Sequence, residues 1–219
     1  MKKDLFIKYE YFFSIFMLGS FLGFVHENLL MLLKGNYSLR QGVIYEPLIT
    51  VYGAGILAFY FFYHRVDFKN LNKYLKIIIV FLIGMTGGGA VEYLFSYLQE
   101  KIFGTISWDY SYLRFNLNGR TSLLHASFWG LMGVLFYELL LPRIISFKMY
   151  LNYNWTKVLT IVFSFIFLFD ATISCVACYR QGERREGLLP TNSVERFLDT
   201  HYPDEYLNKI YNNAKVLPK

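Results

Sequence analysis

Cysteine is scarce in this sequence, which contains only two, Cys175 and Cys178. Two cysteines provide neither a disulfide framework nor the four ligands of a structural zinc site. They lie one helical turn apart, which leaves a metal or redox role open as an alternative. We predict no resident metal or cofactor.

Charged residues are also few, at 17% of the chain, and no basic block gathers the net charge of +6. Positive charge spread over loops and tail indicates contact with anionic lipid headgroups and no nucleic-acid partner. The motifs of phosphate-binding loops, nucleophile elbows, zinc proteases and dinucleotide turns are all absent from the sequence. Hydrolytic or nucleotide chemistry therefore has no motif to support it.

Apolar residues, in contrast, make up 55% of the chain, with 22 Phe and 19 Tyr. A soluble protein has too little polar surface to cover so much apolar area. Apolar stretches of about 20 residues can cross a bilayer as helices. Such stretches are Tyr11 to Leu33, Pro47 to Tyr63, Leu75 to Leu98, Ser122 to Leu141 and Lys157 to Cys178. We therefore predict an all-α, polytopic protein of the cell membrane with about five transmembrane helices.

The two ends of the chain are expected to differ in character. The first apolar segment follows Met1-Lys2-Lys3 but is long and lacks a small-residue cleavage site, so we read it as a transmembrane helix and not a signal peptide. Residues 1–178 are predicted to form the transmembrane domain and residues 179–219 a soluble helical tail. In that tail, Thr191-Asn192-Ser193 is predicted to cap a short helix over Val194 to Leu198, and Pro203-Asp204-Glu205 to start a second. The tail is expected to pack on the membrane face.

Basic residues precede helix 1 and lie between helices 2 and 3 and between helices 4 and 5. They are Lys2, Lys3, Lys8, Arg65, Lys69, Lys73, Lys76, Arg143, Lys148 and Lys157. The positive-inside rule places these segments, and the N-terminus, in the cytoplasm. Arg180, Arg184 and Arg185 argue against this orientation, because an odd number of helices puts the C-terminal tail on the opposite side.

Helices 1 and 3 share a spaced signature, Gly19, Gly23 and Glu27 in the first and Gly84, Gly88 and Glu92 in the third. Steps of four residues keep each set on one helical face. Each helix therefore has a strip of glycines suited to close packing in lipid, with one carboxylate at the end of the strip. The following helices both carry an aromatic-glycine step, Tyr52-Gly53 and Trp129-Gly130. We interpret helices 1–2 and 3–4 as a parallel repeat of the kind seen in transporters, with helix 5 appended.

A polar connection of roughly two dozen residues joins helices 3 and 4, long enough to be ordered or functional. Its start, Tyr97 to Phe103, alternates apolar and charged groups as an interfacial helix does. Asn118-Gly119 favours a tight turn that would present Arg120. Asp109 is a candidate base or cation ligand, although Asp-Tyr-Ser is also a natural turn.

Charges within a bilayer are costly and usually face a cavity or a partner. We predict a wet pocket with Glu27 and Glu92 on its walls and Arg120 as counter-charge. The residues predicted to bind substrate are Glu27, Tyr52, Glu92, Trp108, Asp109, Asn118, Arg120 and Trp129. The alternative is that these charges lie at the interface and pair with Arg40 and Arg120.

Four further polar residues are candidates near this site. Glu46 and His125 are expected at the same membrane face, His125 either as a proton shuttle or as a helical histidine satisfied by a carbonyl. Asp170 and Ser174 share a face of helix 5, with Asp170 deep enough to need a buried partner.

Helices 1 to 4 resemble a bacterial membrane family, the CmpB-like ABC-transporter type IV permeases. The matching pieces are Phe21-Leu22-Gly23 with Glu27, Pro47-Leu48, Tyr52 to Gly55, Glu92, Trp108 to Ser111, Phe115 to Arg120 and Trp129-Gly130. Glu46 stands where the family usually has glycine and Thr50 where a second proline is expected, so the first loop differs. The resemblance implies transport and, because the chain has no ATPase domain, a separate ATP-hydrolysing partner.

Three functions follow from this reading. The first is a permease-like transporter component whose pocket binds a small polar or ionic solute or a lipid headgroup. The second is a membrane-embedded enzyme acting on a lipid headgroup or lipid-linked substrate, with Glu27, Glu92 or Asp109 as general base and Arg120 binding phosphate. The third is a non-catalytic assembly subunit that binds other membrane proteins through its glycine faces.

Overall fold

The computed structural model describes residues 2–63, 65, 66, 68, 70–143 and 153–217, without the side chains of residues 2–8 and 153. Of the lysines used to predict the orientation, Lys69 and Lys148 lie outside the described residues, and so do the side chains of Lys2, Lys3 and Lys8.

Helices dominate the described part of the chain, as predicted. The bundle consists of α1 (Lys2–Leu33), α2 (Thr50–Tyr63), α3 (Lys73–Phe103), α4 (Leu123–Leu135) and α5 (Tyr153–Arg185). Helix α4 continues through a π-helical turn, Phe136–Leu140, as far as Arg143. Two short helices follow in the tail, α6 (Ser193–His201) and α7 (Asp204–Ile210).

Four of these helices are long and apolar enough to cross a membrane, namely α1, α3, α4 with its extension, and α5. Helix α2 has 14 residues, which at about 1.5 Å per residue is about 21 Å and shorter than a bilayer core of about 30 Å. It begins at Thr50 and not at Pro47. The segment before it is irregular, and the Gly42 N–H donates to the Leu48 carbonyl at 2.7 Å.

Two predicted boundaries differ from the structure. Tyr97 to Phe103 is not a separate interfacial helix but the last part of α3, which ends at Gly104, a glycine with φ of 64°. Helix α5 passes Cys178 without a break and ends at Arg185. In both cases the helix continues through polar residues beyond the apolar stretch, so hydropathy placed the end too early.

The bundle packs in chain order, with α1 on α2, α2 on α3 and α3 on α4, while α5 lies against α1 and α3. Its buried apolar core includes Ile15, Val51, Phe59, Tyr63, Val80, Trp129 and Phe136. Many other apolar side chains on α5 are exposed, for example Phe165, Leu168 and Phe169. Such a surface suits lipid and not water.

Short antiparallel strands order the polar connections. β1 (Thr105–Ile106) pairs with β4 (Lys215–Val216), and β2 (Asn116–Leu117) pairs with β3 (Thr121–Ser122). The turn between β2 and β3 places Asn118 and Gly119 at φ of 53° and 68°. The predicted tight turn is therefore present, because asparagine and glycine tolerate this left-handed backbone best.

The C-terminal tail packs on the end of the bundle that carries the α1–α2 and α3–α4 connections. We call this the tail-side end. A second apolar cluster lies there, made of Ile44, Ala177, Leu198, Tyr202, Leu207 and Ile210. The predicted cap at residues 191–193 is present, and the residue that caps α6 is Asn192, which accepts from the Glu195 N–H.

The arginines at the end of α5 are tied into this tail. The Arg180 side chain is 2% exposed and binds Asp199 and Glu183, and Arg184 binds Asp199 and Asp204. These ion pairs hold α6 and the start of α7 against the end of α5.

Candidate functional site at the tail-side end

The two glycine strips pack against the following helices in matching ways. A β-carbon on Gly19 would lie 3.1 Å from the Gly53 Cα, and one on Gly84 would lie 3.2 Å from the Gly130 Cα. One turn further along, Gly23 lies against the Tyr52 side chain and Gly88 against the Trp129 side chain. Glycine is needed at these positions because any side chain would meet its neighbour. The matching contacts support the predicted repeat of α1–α2 and α3–α4.

In the first half, Glu27 is held by a tyrosine and an arginine. The Tyr52 hydroxyl donates to Glu27 Oε1 at 2.6 Å, and Arg40 donates to Glu27 Oε2 at 3.0 Å. Asn28 fixes the Arg40 backbone by accepting from its N–H and donating to its carbonyl. The Tyr52 oxygen also lies 3.3 Å from His26 Nδ1. Glu27 is thus an ionised carboxylate that shares one oxygen with a cation and the other with a tyrosine hydroxyl.

In the second half, Glu92 is surrounded by hydroxyls and an indole. This residue is 7% exposed. Thr121 Oγ1 donates to Glu92 Oε2 at 2.7 Å and the Tyr110 hydroxyl donates to Oε1 at 3.1 Å. The Trp129 side chain also interacts with this carboxylate. Among the described residues no lysine or arginine forms an ion pair with Glu92.

The two carboxylates belong to one cluster. The Tyr52 and Trp129 rings lie 5.2 Å apart between their centroids, and Glu27 interacts electrostatically with Glu92. The His125 ring stacks on Tyr110 with centroids 3.6 Å apart. Burial raises the pKa of Tyr110, and the neighbouring Glu92 raises it further, so its hydroxyl stays a donor. We call Glu27, Tyr52, Glu92, Tyr110 and Trp129 the carboxylate cluster.

Arg120 lies beside this cluster, but it pairs with an acid outside the cluster. It forms an ion pair with Glu100 at 2.5 Å, and its guanidinium lies over the rings of Tyr93 and Tyr97. The Trp108 indole donates to the Arg120 carbonyl at 2.8 Å. Three predicted site residues, Trp108, Asn118 and Arg120, thus order the connection next to the cluster, Asn118 by donating to the Tyr93 hydroxyl.

Asp109 is exposed and closes a turn. Its carboxylate accepts from the Ser111 N–H at 2.9 Å, and this bond lowers the pKa of Asp109. Gly119 packs directly against it, with a β-carbon there 2.7 Å from Asp109 Oδ1. Tyr110, and not Asp109, turns toward Glu92.

Asp170 has the buried partner that its depth predicted, and this partner is backbone. Asp170 is 1% exposed, and its carboxylate accepts the N–H groups of Ile44, Tyr45 and Glu46 at 3.0, 2.9 and 2.8 Å. Ser174 Oγ donates to the same carboxylate. Burial raises the pKa of Glu46, and the neighbouring Asp170 adds to it. These groups anchor the α1–α2 connection to α5 and form a second site, separate from the carboxylate cluster.

Sequence reasoning missed Tyr110 and Thr121 as partners of Glu92. Tyr110 lies inside the Trp108 to Ser111 motif, so its position was a usable signal. Thr121 follows Arg120 directly, and nothing in its surroundings marks it. Both depend on the fold of the connection over α3.

A groove lies at the tail-side end, on α1 and the loop that follows it. This groove is open, has a volume of about 360 Å³, and is lined by residues that include Val25, Asn28, Leu32 and Tyr37. The eight predicted binding residues are not part of its lining. In the described part of the chain, no group of three or more His, Cys, Asp or Glu has the arrangement to hold a metal ion. Cys175 and Cys178 are free thiols.

Spanning helices and exposed apolar faces define a polytopic helical membrane protein. Residues 14–175 match the model of a family described as "Putative ABC-transporter type IV". Because this match covers more than half of the sequence, the chain belongs to that family. No curated protein and no solved structure matches the chain.

Proposed function

We propose that this protein is the permease-like component of a transporter in the cell membrane, and that the carboxylate cluster binds a small polar or ionic solute or a lipid headgroup. The observation that carries this proposal is that Glu27 and Glu92 belong to one cluster, linked by the Tyr52–Trp129 contact, between two helix pairs with matching contacts. Intramembrane carboxylates are costly and are kept where they act.

Movement of the two helix pairs against each other would change the cluster directly. Tyr52 and Glu27 belong to the α1–α2 pair, whereas Trp129 and Glu92 belong to the α3–α4 pair. Tyr52 and Trp129 touch across the boundary between them. A rocking motion of one pair on the other therefore separates or joins the two carboxylates, as alternating access requires.

Transport driven by ATP requires a second protein. The chain carries no phosphate-binding loop, so we propose a separate ATPase subunit as partner, with membrane lipids around the helices. In this arrangement residues 1–178 form the transmembrane domain and residues 179–219 a cap on the tail-side end.

The enzyme alternative depends on a free arginine that binds phosphate. Arg120 is paired with Glu100 and covered by two tyrosine rings. Arg40 is paired with Glu27. The geometry therefore favours the transporter component.

Native mass spectrometry of the purified protein tests the proposal. We expect wild type to retain a small molecule or lipid that Glu92→Gln loses, while Glu205→Gln on the exposed side of α7 retains it. The retained molecule is then loaded into proteoliposomes, where wild type and Glu205→Gln should transport it and Glu92→Gln should not. Identical bound molecules in wild type and Glu92→Gln would contradict the proposal and favour an assembly subunit.

A further inference from the structure

Glu27 and Glu92 occupy equivalent positions in the two helix pairs but have different surroundings. Glu27 has the Arg40 guanidinium at 3.0 Å. Glu92 is the more buried of the two and has hydroxyl and indole partners in place of a cation. The one arginine of the α3–α4 connection that reaches α3 near this point, Arg120, is committed to Glu100.

The partners of Glu92 suit either charge state of the carboxyl group. A guanidinium only donates, so Arg40 is matched to an ionised Glu27. A hydroxyl both donates and accepts, so Tyr110 and Thr121 can donate to the ionised form of Glu92, and one of them can accept from the neutral acid. A buried acid without a cation avoids the cost of desolvation by binding a proton.

From these contacts we propose that Glu92 is a proton-binding site and that its charge controls the contact between the two helix pairs. Ionised Glu92 repels Glu27 across the boundary, and binding of a proton removes this repulsion while Tyr110 or Thr121 accepts the new O–H. Proton binding thus favours the joined state of the pairs, and proton release favours their separation. This device does not depend on which solute is transported.

The groups that face Glu92 come from every neighbouring element. Those that interact with Glu92 itself are Glu27 of α1, Tyr52 of α2, Tyr110 and Thr121 of the α3–α4 connection, and Trp129 of α4. Arg40 forms an ion pair with Glu27 and His125 stacks on Tyr110, so both act on Glu92 indirectly. Tyr110 lies in the α3–α4 connection, which reaches the surface.

Labelling with dicyclohexylcarbodiimide tests the assignment, because this reagent modifies protonated carboxyl groups in apolar surroundings. The intact protein in lipid nanodiscs is treated at several pH values between about 5 and about 9, and the modified peptides are identified by mass spectrometry. We expect Glu92 to be labelled at least about tenfold more than Glu27 near the lower end of this pH range. Labelling of Glu92 should fall as the pH rises.

Arg40→Gln is the reciprocal variant, because it removes the cation beside Glu27. Labelling of Glu27 should then rise toward that of Glu92, whereas Arg114→Gln, on the exposed surface of the same end, should leave both unchanged. Equal labelling of Glu27 and Glu92 in wild type would overturn the proposal. It would also be overturned if Glu27 were labelled to the same extent in Arg40→Gln as in wild type.

Infrared difference spectroscopy provides a second readout that needs no access for a reagent. A carboxylic acid band that disappears on raising the pH, and that Glu92→Gln lacks, supports the proposal. Glu27→Gln should keep that band. A pH titration without any acid band from Glu92 overturns the proton site, but leaves solute binding in native mass spectrometry intact, so the two proposals fail separately.

Discussion

Gly88 of α3 lies directly against Trp129 of α4, so that a β-carbon on Gly88 would sit 2.5 Å from the Trp129 Cβ. Trp129 in turn contacts both Tyr52 and Glu92. The close packing of α3 on α4 at Gly88 thus fixes the position of the Trp129 ring in the carboxylate cluster.

Gly88→Ala should destabilise the bundle, by about 1–3 kcal/mol as for other overpacked sites. Gly87→Ala is the matched control, because its β-carbon would meet Phe62 at 3.4 Å, an ordinary contact. Alanine also favours a helix over glycine by up to about 1 kcal/mol, so Gly87→Ala should be neutral or stabilising. The melting temperatures of the two variants are compared by thermal unfolding in detergent, with fluorescence as the signal. Equal melting temperatures for both variants would argue against the close contact.

Asp170→Asn should release the α1–α2 connection. An amide keeps one acceptor oxygen and sets an N–H₂ group against backbone N–H donors of Ile44, Tyr45 and Glu46. We expect a loss of about 2–3 kcal/mol and faster hydrogen exchange at residues 44–46.

Ser174→Ala is a milder change at the same place, because it removes one neutral hydroxyl. Its exchange rates at residues 44–46 should lie between those of wild type and Asp170→Asn. Unchanged exchange in Asp170→Asn would show that the connection is held by other contacts.

Arg120 should be coupled to Glu100 and not to Glu92. In a double-mutant cycle of thermal stability, Arg120→Gln and Glu100→Gln should show a coupling of about 0.5–3 kcal/mol. Arg120→Gln and Glu92→Gln should be additive within about 0.5 kcal/mol. The reverse pattern would restore Arg120 as the counter-charge of the cluster.

The packing of α6 should depend on pH in the acidic range. Hydrogen bonds from Arg180, and then from Arg184, lower the pKa of Asp199. A depressed pKa in the folded protein means that the stabilisation is present above the ordinary value of about 3.9 and is lost as the pH falls through the lower folded value. Hydrogen exchange of residues 193–201, corrected for its intrinsic pH dependence, should therefore accelerate only below about pH 4.

Asp199→Asn is the control for this pH dependence. The variant should exchange faster already at neutral pH and change little on acidification. If wild type and Asp199→Asn respond to acid equally, the dependence arises from other groups in the tail.

Much of the architecture could be predicted because it depends on local pattern. Apolar stretches identified the spanning helices, and Thr191-Asn192-Ser193 and Asn118-Gly119 identified a cap and a turn. Steps of four residues placed Gly88 and Glu92 on one face, which the structure shows packed on α4. The end of α3 was misplaced because polar residues continue the helix beyond its apolar part.

The alternative prediction that the acids pair with Arg40 and Arg120 named the right arginines, but it could not say which acid each of them binds. Arg120 and Glu100 meet only after the connection folds back over α3, and the ion pair of Arg40 with Glu27 depends on the loop fixed by Asn28. Several acidic residues in the sequence could pair with each arginine, and only the tertiary structure shows which of them does. Whether the cluster binds a solute stays a prediction.

The pairing of β1 with β4 has a consequence for the order of assembly. Thr105 and Ile106 pair with Val216 and Lys215, residues far apart in the chain. During synthesis this ladder can close only after α5 has entered the membrane and the tail has emerged from the ribosome. The start of the α3–α4 connection is therefore secured only after the whole chain has been made, whereas the part that carries Tyr110 is ordered by contacts with nearby residues of α3 and of the connection itself.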